Sequence, residues 1–416
     1  MTGERTCPDC SAEIPAEDGL RAWCERCNWN LGGETPPPEE GFLARQYVRI
    51  GERYGSTTLD RLKATPTHDL RPRWTASKVI AFALAASVHL LSLSLLVLGI
   101  VLIATGFPDI GPMLLGVGMC VFAWFMRPKP GKPPSEDLAD PKVFPTLRAF
   151  INEVAQELGG QPIKNVVVNE DFNAAYGVVG WRRIPVLWIG LPLWMALRPQ
   201  ERVALVGHEV AHGVNRDGTR SFIVGSALNA IEEWIGFLRG SLRHAATSDE
   251  VLGGYAIWIL SIPFASLQSL LAQLLWLDKQ RSEYFADYLA ATISGTDAVA
   301  SLLQRLGCKE HLNDVLLRNV YSRSQSGADI LGLFRDRVTS LPDREWERLA
   351  RSSQHEGARL DASHPPTAYR SAFLRAHVVE KPRITVTEDV MRTIDAELAT
   401  LQEMLGKRLI VQHARE

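Results

Sequence analysis

The chain has 416 residues, 46% of them hydrophobic and 22% charged, and its 45 basic and 47 acidic side chains leave a formal net charge of −2. These values exclude a disordered or collagen-like chain and leave room for two to three domains. The even charge balance gives no global reason to bind nucleic acid, and none is expected as a partner. A mean hydropathy of −0.03 averages polar segments with very apolar ones, so the information lies in the distribution along the chain.

The first stretch, MTGERTCPDCSAEIPAEDGL, is polar and lacks the apolar core and small-residue cleavage site of a secretory signal. It is expected on the cytoplasmic side. Cys7-x-x-Cys10 and Cys24-x-x-Cys27 follow as two tight pairs. Each pair can turn two sulfurs toward one ion, and four thiolates satisfy zinc with no open position, so residues 1–32 are expected to form a zinc ribbon around a structural zinc. Two disulfides are the alternative, which a cytosol-facing segment disfavours. Cys120 and Cys308 stand alone and read as buried small apolar residues. Residues 34–41, ETPPPEEG, have linker composition, which makes the ribbon a tethered module free to take a partner of its own. Residues 33–77 read as linker and juxtamembrane segment.

Residues 79–105 run for about 27 positions without a charge, more than the roughly 20 needed to cross a bilayer as helix. After a turn with Pro108, Asp109 and Pro112, residues 110–126 supply about 17 more, the short end of the spanning range. Residues 78–126 therefore read as a transmembrane hairpin. Arg71, Arg73 and Lys78 precede it and Arg127, Lys129 and Lys132 follow it, whereas the turn carries only Asp109, so both flanks are expected in the cytoplasm. Trp74 and Trp124 suit the interface, and His89 inside the first span is expected to be neutral and bonded across to the second helix. Residues 252–277 form another uncharged stretch, interrupted by Pro263, and residues 221–240 a weaker one containing Glu232 and Glu233.

Between these segments lies His208-Glu209-Val-Ala-His212. Pro199 suits the first turn of a helix on which two histidines four apart project from one face toward one metal, with Glu209 beside them to act on a water held there. The pattern needs a third ligand. Residues 278–293 also look helical and put Glu283 and Asp287 four apart on one face. Glu283 is the candidate third zinc ligand, and Asp287 can orient a ligand histidine through its other ring nitrogen. An exposed Lys279–Glu283 pair is the plainer alternative. Asp217, before Gly218, reads as a turn residue.

These motifs, with Arg281-Ser-Glu283-Tyr-Phe-Ala-Asp287 and Ser363-His364-Pro-Pro-Thr-Ala-Tyr-Arg370, resemble the integral-membrane gluzincins of the HtpX and CAAX prenyl protease class. The resemblance covers roughly residues 144–376 and leaves out the ribbon. It implies His208, His212 and Glu283 as ligands of a catalytic zinc, Glu209 as general base and acid, and Asp287 behind the ligands. It also implies His364 and Arg370 near the zinc, where a cationic donor could hold an oxyanion. Asn173-Ala174-Ala175-Tyr176 resembles a substrate-binding segment on a strand beside the cleft, which an extended chain could extend as a further strand.

His208, His212 and Glu283 can share an ion only if the chain between them crosses the membrane an even number of times. The resemblance favours two spans within residues 221–277, a second hairpin whose first helix packs against protein; the alternative is that neither spans and the longer one bends back at Pro263. The expected fold is α+β, a mainly helical membrane zinc metalloprotease with a gluzincin core. Its zinc metallopeptidase domain covers residues 146–381, after a linker at 127–145. Short strands are expected at 162–168, 174–179 and 184–189, and further helices at 146–158, 296–306 and 312–321. Residues 382–416 carry an apolar stripe of Val390, Ile394, Leu398, Leu401 and Leu405, a carboxyl-terminal helix expected to dock on the catalytic domain. The expected function is a zinc endopeptidase in the cell membrane with ribbon and active site at the cytoplasmic surface. Its partners are protein or peptide substrates and the lipid bilayer, and by resemblance its role is membrane-protein quality control. The rival is a membrane-tethered zinc-ribbon scaffold without proteolytic activity.

Overall fold

The computed structural model describes residues 3–17, 19–32, 42–72, 74–127, 132, 134, 137–215, 217–240, 248–321, 329–355, 357–358 and 364–413. The expected linker at 34–41 and Ser363 lie outside them, as do Arg73 and Lys129. Strands β1 (Gly3–Thr6) and β2 (Glu13–Ala16) pair antiparallel in the ribbon. Helix α1 (Phe42–Lys63) comes next, where only linker and juxtamembrane chain was expected. It buries Leu59 and Leu62 with Leu70 against Tyr284, Phe373 and Leu374, so this part of the chain belongs to the peptidase body. Apolar side chains on one stripe of an otherwise polar helix find a partner in that way.

Helices α2 (Ala76–Gly106) and α3 (Ile110–Phe125) form the first apolar hairpin. Thr75 caps α2 by accepting from the Lys78 amide at 3.2 Å and donates its hydroxyl to Asp278 at 2.9 Å. Leu90, Leu93, Ile110, Leu114 and Phe125 stay exposed around the hairpin, as lipid-facing side chains do. His89 differs from expectation: its Nε2 meets the Ile223 carbonyl at 2.9 Å and the Ser226 hydroxyl at 3.2 Å, on a later helix and not on α3.

The peptidase core starts at residue 137, within the expected linker, because Leu138 bridges to Val167 and the Ala139 amide bonds the Val166 carbonyl at 2.8 Å. Helix α4 (Pro145–Glu157) leads to strands β3 (Asn165–Asn169), β4 (Ala174–Val179) and β5 (Ile184–Gly190). The sheet order is β3-β5-β4, with β5 parallel to β3 and antiparallel to β4, so β4 is an edge. Helices α5 (Leu191–Ala196), α6 (Pro199–Val214) and α7 (Asp217–Gly240) follow. Asp217 thus begins a helix where a turn was expected.

Helix α8 (Ser248–Ser294) has 47 residues and runs unbroken past Pro263. The apolar stretch and the segment with Glu283 and Asp287, read from sequence as separate, are one helix. Ala81, Ala85 and Val88 of α2 pack with Val224, Ala227 and Ile231 of α7 and Leu271 of α8, while Glu232 and Glu233 remain exposed. Among the described residues, α2 and the Trp258–Ser294 part of α8 are long and apolar enough to cross a membrane, and α3 is apolar but shorter.

Helices α9 (Thr296–Arg305), α10 (Lys309–Tyr321), α11 (Ile330–Thr339), α12 (Asp343–Gln354) and α13 (Thr367–Ala376) complete the body. Helix α14 (Glu388–His413) docks on it, burying Ile394, Leu398 and Leu405, with Val390 exposed and Leu401 half-buried. Its Glu397 accepts the Thr146 and Leu147 amides at 2.8 and 3.0 Å, satisfying the open N-terminus of α4.

The ribbon is not loose on a tether. Trp23 is buried, with the Arg344 and Arg351 guanidiniums of α12 at 4.9 and 5.1 Å from its ring. The Trp23, Glu25 and Gly32 carbonyls accept from Arg344 (2.7 Å), Arg351 (2.6 Å) and Ser352 (2.8 Å), and that of Leu31 accepts from Arg348. Planar guanidiniums both stack on an indole and fork to carbonyls, which fixes the ribbon on α12.

Candidate active site

The start of α6 is held by Glu201, whose carboxylate accepts the Arg198 amide at 2.6 Å and pairs with Arg305 at 2.7 Å. Its middle is buried from Glu201 to Ala211 because Gly207 lets α8 come close. A Cβ there would sit 2.5 Å from Ile293 Cδ1. The antiparallel contact brings the histidine face of α6 against Glu283 and Asp287.

His208 Nε2 lies 3.5 Å from Glu283 Oε2, and His212 Nε2 lies 3.7 Å from Glu283 Oε1. Ligands about 2.0–2.2 Å from one tetrahedral ion are separated by about 3.4 Å, so both distances fit atoms that share a zinc. The donor set, two imidazoles and a carboxylate, also fits. Glu209 is buried beside His208 on the same helix.

Behind His208, Asp287 Oδ1 stands 3.0 Å from Nδ1, which makes Nδ1 a donor and leaves Nε2 facing Glu283. Burial opposes charge on His208, yet the Asp287 and Glu283 carboxylates raise its pKa to about 10, so the cluster favours a positive charge at this point. Arg370 Nε and Nη2 donate to the two oxygens of Asp287 at 2.8 and 2.6 Å. Burial lowers the guanidinium pKa, but Asp287 outweighs it and holds the group firmly charged. This departs from the expectation of an oxyanion donor: Arg370 is buried on the Nδ1 side of His208, away from the Nε2 that meets Glu283.

His364 does come to the cluster. It is half-exposed, and its Nδ1 is 2.6 Å from Glu283 Oε2. His208, Glu283 and His364 offer donor atoms within 4.8 Å of one another. Glu283 faces the histidines, and Lys279 is exposed. Strand β4 presents Ala174, Ala175 and Tyr176 as half-buried residues on its open edge, and the Asn173 carbonyl before it accepts the Gly190 amide at 2.8 Å. Tyr176 lies on Gly213, where a Cβ would come 2.7 Å from the ring. Sequence reasoning passed over Gly207, and the available signal was a glycine inside a helical pattern next to the motif.

In the ribbon, Cys7 and Cys27 Sγ are 3.5 Å apart, as are Cys10 and Cys24. A disulfide would need about 2.05 Å. Thiolates at about 2.3 Å from one zinc are separated by about 3.8 Å, and all four sulfurs lie within 4.8 Å of one another. The Cys27 and Arg26 backbone groups lower the Cys24 thiol to about 6, while desolvation pushes the neighbouring Cys27 thiol up to about 12.

The peptidase family M48 profile matches residues 141–378. A "Protease HtpX homolog" of Pyrobaculum calidifontis is 27% identical over 237 residues, 55% of this chain and 67% of the relative. One from Archaeoglobus fulgidus is 30% identical over 170 residues, covering 40% and 47%. A "Protease HtpX" of Pseudomonas putida is 25% identical over 178 residues, covering 41% and 60%. No solved structure matches. With more than half of its 416 residues inside the family profile, the chain belongs to peptidase family M48 and is an HtpX-like zinc metalloendopeptidase.

Proposed function

We propose that this protease cleaves protein substrates at the cytoplasmic surface of the cell membrane, with His208, His212 and Glu283 holding the catalytic zinc and Glu209 moving the proton. The observation that carries this reading is the pair of Nε2–carboxylate separations, 3.5 and 3.7 Å, across the two oxygens of Glu283. Bound there, zinc would supply a Lewis acid and make water acidic enough to deprotonate near neutral pH. The carboxylate of Glu209 takes the proton of the attacking water and returns it to the leaving amine nitrogen. Asp287, clamped by Arg370, keeps His208 in the tautomer that offers Nε2. His364 is the donor on the open side of the cluster for a developing oxyanion. An extended substrate adds to the β4 edge through Asn173–Tyr176, where main-chain bonding gives affinity with little side-chain preference.

The cytoplasmic side follows from the basic flanks of the α2–α3 hairpin, with Arg71, Lys78, Arg127 and Lys132 on one side and only Asp109 in the turn. A second, structural zinc belongs to Cys7, Cys10, Cys24 and Cys27. A groove tolerant of sequence suits removal of damaged membrane proteins, the quality-control role.

The test is zinc content and cleavage of an unfolded protein by purified full-length chain. Wild type should hold two zinc ions. His208→Ala and Cys7→Ser/Cys10→Ser should each lose one, and Glu209→Gln should keep both while losing at least about 100-fold in kcat. Undiminished cleavage by Glu209→Gln would overturn the assignment of the proton carrier.

A further inference from the structure

The arginines of α12 stand at 344, 348 and 351, the spacing of one helix face, and all three donate to ribbon carbonyls. Glu345, Trp346 and Leu349 serve the body instead. Leu349 lies on Gly307, where a Cβ would come 3.2 Å from its Cδ2, and the Trp346 ring has the Arg305 guanidinium 4.7 Å from its centre. Helix α12 is therefore held between the ribbon on one side and the peptidase body on the other.

Arg305 continues the path to the catalytic helix. It is buried, donates to the Ala196 carbonyl at 2.7 Å and pairs with Glu201 at 2.7 Å. Glu201 accepts the Arg198 amide at 2.6 Å and the Ser301 hydroxyl at 2.5 Å, so its carboxylate fixes the first turn of α6. His208 and Glu209 follow on the same unbroken helix about two turns later. The far end of this path is a small module. The ribbon has a two-stranded sheet and a core of Cys7, Ile14 and Cys24, too little to fold without an ion. It meets the body on α10, α11 and α12, with Arg318 and Arg337 also donating to the Gly19 carbonyl, so it acts on the site through position and not by filling the cleft.

We infer that the ribbon is a metal-dependent clamp that regulates the peptidase: folded around its ion it seats α12, and α12 fixes the head of α6 through Trp346, Arg305 and Glu201. Unfolding of the ribbon takes the Trp23, Glu25 and Leu31 carbonyls from α12 and opens the buried Arg348 to water. The ribbon thus has two states, docked and released, and both its own metal and the position of α6 depend on which is populated. Turnover falls when the ribbon metal is withdrawn, even while His208, His212 and Glu283 keep theirs. Trp346 and Arg305 are positioning residues in this scheme. The inference deepens the peptidase reading and rests on it.

Hydrogen exchange of the amides of residues 199–205, read beside kcat and KM on a soluble peptide, tests it in purified full-length protein. The variants are Cys7→Ser/Cys10→Ser, which cannot hold the ribbon metal, and Arg344→Ala/Arg351→Ala, which only weakens docking. In both, exchange at the head of α6 should rise several-fold and kcat should fall several-fold with KM unchanged and the catalytic zinc retained. Trp346→Leu should lower kcat by itself, and adding Cys7→Ser/Cys10→Ser to it should cost nothing more, because the link is already cut. Trp346→Phe keeps a ring beside Arg305 and should restore both kcat and its dependence on the ribbon. Exchange at the head of α6 that ignores both ribbon variants overturns the clamp, as do losses that simply add in the Trp346→Leu background. Loss of the catalytic zinc in Cys7→Ser/Cys10→Ser also overturns it and makes the ribbon a folding element. Wild type that cleaves no peptide would overturn the peptidase reading instead, while the exchange comparison still decides the clamp.

Discussion

Arg370 has two acidic oxygens at 2.8 and 2.6 Å and an imidazole nitrogen at 3.4 Å, all buried. A cation in that position keeps Asp287 ionised so that Asp287 can hold His208. Arg370→Met would leave a buried carboxylate unpaired, and a loss of about 3–5 kcal/mol in stability is expected. Zinc affinity should fall about 10- to 100-fold, as for other groups that orient metal ligands. Thermal unfolding and chelator competition measure the two effects, with Arg370→Lys intermediate because it keeps the charge and loses the fork. That His208 and His212 meet Glu283 and that the four cysteines cluster was legible in the sequence because helical period and C-x-x-C spacing are local properties. The place of Arg370 was not, since a motif says that a residue is near the metal and not which side of a ligand it occupies. His89 was misjudged for a similar reason: its acceptors, Ile223 and Ser226, lie more than a hundred residues away on α7.

At the scale of elements, the site depends on how closely α6 and α8 approach. Gly207 sets that distance, with Ile293 Cδ1 already where a side chain would begin. Gly207→Leu should force the helices apart, costing about 1–3 kcal/mol or more and lowering zinc occupancy in the same preparation. Metal analysis beside a melting curve checks this, and full occupancy with an unchanged Tm would mean that the helices can shift without harm. Helix α1 shows where element reading failed, and α12 is a helix for which the sequence analysis made no reading. It carries arginines at 344, 348 and 351, and Arg348 is almost fully buried between Glu345, Glu310 and the ribbon. Only the tertiary partner reveals that role. Strands β3, β4 and β5 lay close to their expected positions because apolar runs bounded by turn residues mark them locally.

For the whole molecule, a ribbon fastened to α12 behaves differently from one on a string. Protease cutting between residues 33 and 41 should leave the ribbon bound to the body through gel filtration. Arg344→Ala/Arg351→Ala, which removes the stack on Trp23, should let the cut fragment separate. Removing the ribbon metal should act as that variant does, since so small a module folds only around its ion. Retention of the fragment after both treatments would mean that other contacts hold it.

Helix α8 carries an apolar candidate span and the Glu283 segment on one axis. From Pro263 within its apolar stretch to Glu283 is about 30 Å of unbroken helix. Where it reaches the peptidase body, Asp278 takes the Thr75 hydroxyl at the head of α2, a natural fulcrum. About Asp278, Glu283 lies about 7.5 Å further along the helix, so a tilt of about 8° moves it by about 1 Å, and misplacement of that size can cost about 100-fold in rate. Since a span tilts to match the thickness of its bilayer, turnover of even a soluble peptide should vary with acyl-chain length in nanodiscs. The lipid surroundings would then act as a gauge, and Glu283 would register a change in membrane thickness before any substrate is bound.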